Sequence, residues 1–254
     1  MRRTAGKHSI GAGMRPAAAP PRGAVAVLLA CAGATAVLPH VPLLRWLAWP
    51  LMLVSTFAHE MGHGIAALCV GGSFGEFRMW PDGSGVASVA AGTGRLTAAL
   101  VSAGGLIGPA MAAAGLFGLA RGERRARVAL VGLVAGLLVV LALFVRGWFG
   151  LLFALTMAAV LALLARFGSA WLARLGLVFV AVQLALSVFT RADYLFTPVA
   201  HTSAGELPSD VAQIARALLL PYWFWGALIG ALSVAVLLVG LWLYLRPQGR
   251  GARR

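Results

Sequence analysis

Five consecutive residues, His59-Glu60-Met61-Gly62-His63, carry the side chains in this chain best suited to chemistry. A helix turns once in about 3.6 residues, so two histidines four positions apart leave from one face, close enough to share a metal. Zinc suits such a pair, because it takes imidazole nitrogen at about 2.0–2.1 Å in tetrahedral geometry. Glu60 stands beside the first histidine and can reach water held at the metal. There it would act as general base while that water attacks a peptide carbonyl. The chain holds only five histidines and seven acidic residues, which makes the match specific for so short a motif.

Two histidines do not complete a catalytic zinc site, which takes three protein ligands and keeps an open position. Besides Glu60, the acids are Glu76, Asp82, Glu123, Asp193, Glu206 and Asp210. Asp82, in Pro81-Asp82-Gly83, reads as a turn former, and Glu123 sits among arginines as their surface partner. Asp210, in Leu207-Pro208-Ser209-Asp210, stands just ahead of an apolar-periodic stretch and is the first candidate. Ser209 or Asp210 would equally serve as a helix N-cap there. Asp193 is the alternative, although Arg191 is near enough in sequence to pair with it, and His201 is a further one. His8, in the N-terminal tail, and His40, between two prolines, do not read as ligands.

The elements that must carry these residues are apolar. The chain is 61% hydrophobic and 11% charged, whereas a soluble domain carries about 25% charged residues. Its apolar runs approach the roughly 20 residues that cross a bilayer. An acid and two histidines in such a helix are expensive and mark a functional site. The sequence therefore reads as an all-α polytopic membrane protein of six to seven transmembrane helices, over 24–38, 43–70, 96–120, 128–145, 148–165, 171–189 and 218–245. The first is short. Gly71-Gly72 closes the motif helix, and 74–90 alternates about Pro81-Asp82-Gly83 as a small β-hairpin or ribbon. Its edges exclude it from open bilayer, so it packs on protein or faces water. The small residues of 96–120 let helices approach closely, and a polar loop covers 191–216. This gives one membrane-embedded domain, 24–245, between a basic tail over 1–23 with no periodicity, expected to be disordered, and a second basic tail over 246–254.

A net charge of +14 suggests nucleic acid until its distribution is considered. The arginines lie in the tails and short inter-helix loops, where they set orientation and meet anionic lipid headgroups. No aromatic-interleaved basic patch or DNA-binding motif is present, which excludes nucleic acid as a partner. Seven crossings would divide the arginines almost evenly. An odd number of crossings within 24–70 would gather them on one side, which the positive-inside rule prefers. Cys31 and Cys69 lie in apolar runs and read as small buried hydrophobes. The basic start followed by a short apolar run resembles a signal peptide, but an uncleaved first helix is the simpler reading.

Taken in order, Phe57-Ala58-His59-Glu60-Met61-Gly62-His63-Gly64, Gly71-Gly72, Pro81-Asp82-Gly83-Ser84-Gly85-Val86 and Ser102-Ala103-Gly104-Gly105-Leu106-Ile107-Gly108-Pro109 resemble the site-2 protease family, particularly its compact bacterial members. The resemblance covers residues 45–120 well and 191–221 more loosely. It implies an intramembrane zinc metalloprotease in a bacterial-type cytoplasmic membrane, cutting single-span substrates in a regulatory cascade. It also implies a third zinc ligand from a carboxylate following a Pro-containing polar segment, which Leu207-Pro208-Ser209-Asp210 matches in part. The family's Asp-Gly pair is absent there, and the chain contains no Asn, which the family commonly places near its site. The 74–90 ribbon would hold an unwound substrate strand by edge pairing. Two other classes compete. One is a metal-containing but inactive scaffold that binds single-span partners. The other is a small transporter, which needs charges along several helices, whereas the polar residues here gather on one helix and one loop.

Overall fold

The computed structural model describes residues 22–42, 45–92, 94–190 and 192–246. The two basic tails lie outside these residues, except for positions 22, 23 and 246 at their inner ends. Helices α1 (Arg22–Val37) and α2 (Arg45–Cys69) lead into strands β1 (Ser73–Met79) and β2 (Gly85–Ala90). Then come α3 (Arg95–Leu119), α4 (Glu123–Leu143), the two-residue strand β3 (Val145–Arg146), α5 (Trp148–Phe167) and α6 (Ala170–Thr190). A second hairpin, β4 (Val199–Thr202) and β5 (Gly205–Pro208), precedes the short α7 (Asp210–Leu218) and the final α8 (Tyr222–Leu245).

The protein is a predominantly helical integral membrane protein. Among the described residues five helices, α3, α4, α5, α6 and α8, are long and apolar enough to cross a bilayer. The expected count of six to seven included two more. Of these, α1 is apolar but shorter. The 25 residues of α2 are long enough to span, but Ser55, Thr56, His59, Glu60 and His63 dilute its apolar character below that of the other five. The side chains suited to chemistry are thus the ones that set α2 apart. The last span also differs, because Leu219 turns left-handed (φ 69°) and Pro221 follows. A proline cannot donate to the helix ladder, so α7 ends there and α8 begins anew.

The main core joins α1, α3, α4, α5, α6 and α8 around Phe117, Leu130, Leu177 and Val178, all essentially inaccessible. Lipid is as apolar as these side chains, so packing and small-residue contact hold the helices together in place of a hydrophobic drive. That contact is closest between α2 and α3. A Cβ on Gly62 would stand 2.9 Å from the Gly104 carbonyl carbon, and one on Gly108 would stand 2.9 Å from the Ala58 oxygen. Neither position admits a side chain, so the two backbones meet directly.

The expected hairpin follows α2. Its strands run antiparallel from Ser73–Ala90 to Met79–Gly85 with a bulge between Phe74 and Glu76, and β3 adds to β1 in parallel. Phe77, fully buried, packs edge-on against Phe57 of α2. The turn is pinned to the same helix, since Trp49 Nε1 donates to the Pro81 oxygen and Thr56 Oγ1 to the Gly83 oxygen, each at 2.7 Å. The ribbon therefore packs on protein, as an open sheet edge in a membrane must. Cys31 is buried, whereas Cys69, expected to be buried as well, is exposed on the last residue of α2.

Candidate metal centre

One helical turn of α2 presents His59 and His63 with their Nε2 atoms 3.2 Å apart. The third group arrives from α7. Ser209 caps that helix, its Oγ accepting from the Ala212 N–H and donating to the Thr197 oxygen. Capping places Asp210 at the first helical position, where it turns inward and is almost completely buried. Its Oδ2 lies 3.1 Å from His59 Nε2, and its Oδ1 lies 3.4 Å from His63 Nε2.

The fit to a metal follows from the donor chemistry. His63 Nδ1 stands 2.9 Å from the Val101 carbonyl oxygen, which can only accept, so Nδ1 carries the proton. The opposite nitrogen of the neutral ring then aims a lone pair at the other imidazole and at a carboxylate oxygen. Three acceptors facing one another repel unless a proton or a metal ion lies between them, and a metal ion can satisfy all three at once. Tetrahedral bonds of 2.0–2.1 Å imply donors about 3.3 Å apart, close to the spacings of 3.1, 3.2 and 3.4 Å found here. Among the described residues, His59, His63 and Asp210 form the group able to hold a metal ion. Gly105 of α3 makes room for the His63 ring, since a Cβ there would overlap His63 Nε2.

Glu60 is buried beside this group. Together with His59 it lines two adjoining cavities, of about 360 and 700 Å³. β2 begins against it: a Cβ on Gly85 would come within 2.9 Å of Glu60 Cγ.

The other expected candidates lie elsewhere. Asp193 and His201 line the smaller cavity with Glu60 but are outside the metal-binding group. The backbone oxygen of Asp193 accepts from Thr197, and His201 lies 3.3 Å from Glu206 on an exposed hairpin. Asp82 holds the turn expected of it, its Oδ1 accepting from the Ser84 backbone N–H and hydroxyl. Its Oδ2 also accepts from Ser203 Oγ at 2.7 Å, which ties the tips of the two hairpins together.

Tyr194 is the participant that sequence reasoning missed. Its hydroxyl donates to Asp210 Oδ2 at 3.4 Å, and its ring stands edge-on to His59. Nothing in the run Thr190-Arg191-Ala192-Asp193-Tyr194 distinguishes this tyrosine from an interfacial aromatic.

Long apolar helices surround a group of two half-buried histidines and one buried aspartate, with a buried glutamate adjacent, an arrangement of the kind used by membrane-embedded metallopeptidases. The family model described as Peptidase M50B-like matches residues 28–240. The chain belongs to this family, the site-2 protease family of metallopeptidases. Neither the curated proteins nor the solved structures include a match to it.

Proposed function

We propose that this chain is an intramembrane zinc endopeptidase with Glu60 as its general base. The observation carrying the proposal is the convergence of His59, His63 and Asp210 beside Glu60 in one cavity bordered by a free strand edge. Zinc held by those three ligands, with a fourth position open, would supply Lewis-acid polarisation of water and of the scissile carbonyl. Glu60 takes a proton from water as the water oxygen bonds to the carbonyl carbon. It returns that proton to the amide nitrogen as the carbon–nitrogen bond breaks. The Val101 carbonyl keeps His63 in the tautomer that frees Nε2, and Tyr194 orients Asp210, which are the roles of outer partners at metal sites.

Among the described residues β2 pairs only with β1, so its other edge is open to an extended peptide. The surrounding apolar helices favour as substrate a single-span membrane protein whose helix unwinds to reach that edge. Family membership and the arginine-rich loops support a bacterial-type cytoplasmic membrane, with anionic lipids against those loops.

The test uses purified protein with reconstituted single-span substrates. Glu60→Gln is expected to keep zinc and to slow cleavage by at least a hundredfold, within the range of about 10²–10⁴ that general base catalysis contributes. His63→Ala is expected to lose both zinc and cleavage. Cleavage by Glu60→Gln at the wild-type rate overturns the mechanism. Partner capture without any product in wild type would instead favour the inactive scaffold.

A further inference from the structure

We infer that Arg95 and Arg216 form a subsite for an acidic side chain on the bound peptide, an inference that rests on the peptidase reading above. Both line the same cavity of about 700 Å³ as His59, Glu60 and His63. Arg95 opens α3 and Arg216 lies in the last turn of α7. Arg95 Nη2 donates to the Arg216 backbone oxygen at 3.4 Å, which fixes the Arg95 side chain at the end of α7.

Their hydrogen-bonding capacity is largely unspent. A guanidinium has five N–H donors and no acceptor. One donor of Arg95 goes to the helix end, and no carboxylate among the described residues lies within ion-pair distance of either arginine. Three other arginines spend donors within the fold. Arg78 pairs with Glu76, Arg127 donates to the Ala165 and Gly168 oxygens, and Arg174 donates to the Ala120 oxygen. Two arginines that border one cavity and keep donors to spare are suited to a carboxylate, which a guanidinium can grip in bidentate fashion.

The free edge of β2 leads from the reacting groups to this pair. Gly85 abuts Glu60, and Gly85, Val86, Ala87, Val89, Gly94 and Arg95 border one cavity. At about 3.3 Å per residue, the strand carries a paired peptide roughly 17 Å from Glu60 by Ala90. The acidic side chain then falls about five to seven residues from the cleaved bond, on the side toward Ala90. An anionic lipid phosphate would use the same donors, but it would not need them to share a cavity with Glu60.

The experiment measures binding separately from cleavage. Glu60→Gln protein in nonionic detergent is titrated with fluorescein-labelled extended peptides carrying Glu, Gln or Lys at one position, and anisotropy is read. Arg95→Ala/Arg216→Ala is expected to weaken the Glu peptide by about ten- to hundredfold, as loss of charge-assisted hydrogen bonds implies. The Gln peptide should be unaffected, which also reports that the variant is folded. Arg95→Glu/Arg216→Glu is expected to prefer the Lys peptide. Equal losses for Glu and Gln peptides overturn the subsite, as does no change for either. An effect seen only when phosphatidylglycerol is added assigns the arginines to lipid and also overturns it. Zinc-loaded wild type is then incubated with the same peptides. Charge-dependent binding without product would sink the peptidase reading while leaving the subsite standing.

Discussion

Gly105 allows the account to be tested without touching a ligand. A Cβ at this position would lie 2.7 Å from His63 Cδ2 and overlap Nε2 and Cε1. Carbon atoms rest at about 3.5–4.0 Å, so the ring would have to withdraw by roughly 1 Å. The helices cannot separate cheaply instead, because Gly62, Gly104 and Gly108 bring α2 and α3 into backbone contact. Ligand distances at a metal tolerate only about ±0.2 Å. Changes beyond the ligands themselves typically cost about 10–100-fold in metal affinity, and displacing a ligand outright should reach at least the upper end of that range. Gly105→Ala is therefore expected to bind zinc about a hundredfold more weakly than wild type in competition with a fluorescent chelator. Gly115→Ala and Gly118→Ala, in the same helix with open space at the Cβ position, serve as controls and should bind normally. Wild-type affinity in Gly105→Ala would show that α3 does not fix the His63 ring, and the geometric reasoning would fail.

Three other predictions concern the surrounding shell. Tyr194→Phe removes the hydroxyl that donates to Asp210 and should reduce zinc affinity by about tenfold with the fold intact; unchanged affinity would mean that Tyr194 does not orient the carboxylate. Ser209→Ala removes both the cap of α7 and the bond to Thr197 and should lower stability by about 1–2 kcal/mol in a denaturant titration. A loss under half of that would remove capping as the reason Asp210 is held. Hydrogen bonds from the Ser84 side chain, the Ser84 backbone and Ser203 hold the Asp82 carboxyl below its usual range. A lowered folded-state value means that its contribution is present above the unfolded pKa of about 3.9 and is lost as pH falls through the depressed value. A spin label on Ala204 should thus gain mobility in acid, and Asp82→Asn should show that mobility at neutral pH. A label equally immobile in both would contradict the clasp between hairpins.

The chemistry was legible in the sequence because it rests on local spacing. The one-turn interval of His59 and His63 survives any packing of α2, and Pro81-Asp82-Gly83 between alternating segments announces its own hairpin. Asp210 could be ranked only first among several, since its approach to His59 depends on contacts 151 residues apart in the chain. The second hairpin was hidden inside a segment read as a polar loop. Its strands have four residues each, half-buried or exposed and too short for a periodic signal. Tyr194, the Val101 carbonyl and the room that Gly105 leaves for the His63 ring are products of packing between distant elements, and no residue type announces them.

Zinc K-edge X-ray absorption of the purified wild-type protein reads the ligand set of His59, His63 and Asp210 itself. The expected result is stoichiometric zinc with two imidazole nitrogens and carboxylate or water oxygen at about 2.0–2.1 Å, and loss of one oxygen scatterer in Asp210→Ala. A protein that binds no zinc would contradict it, as would a spectrum with sulfur or without imidazole scattering.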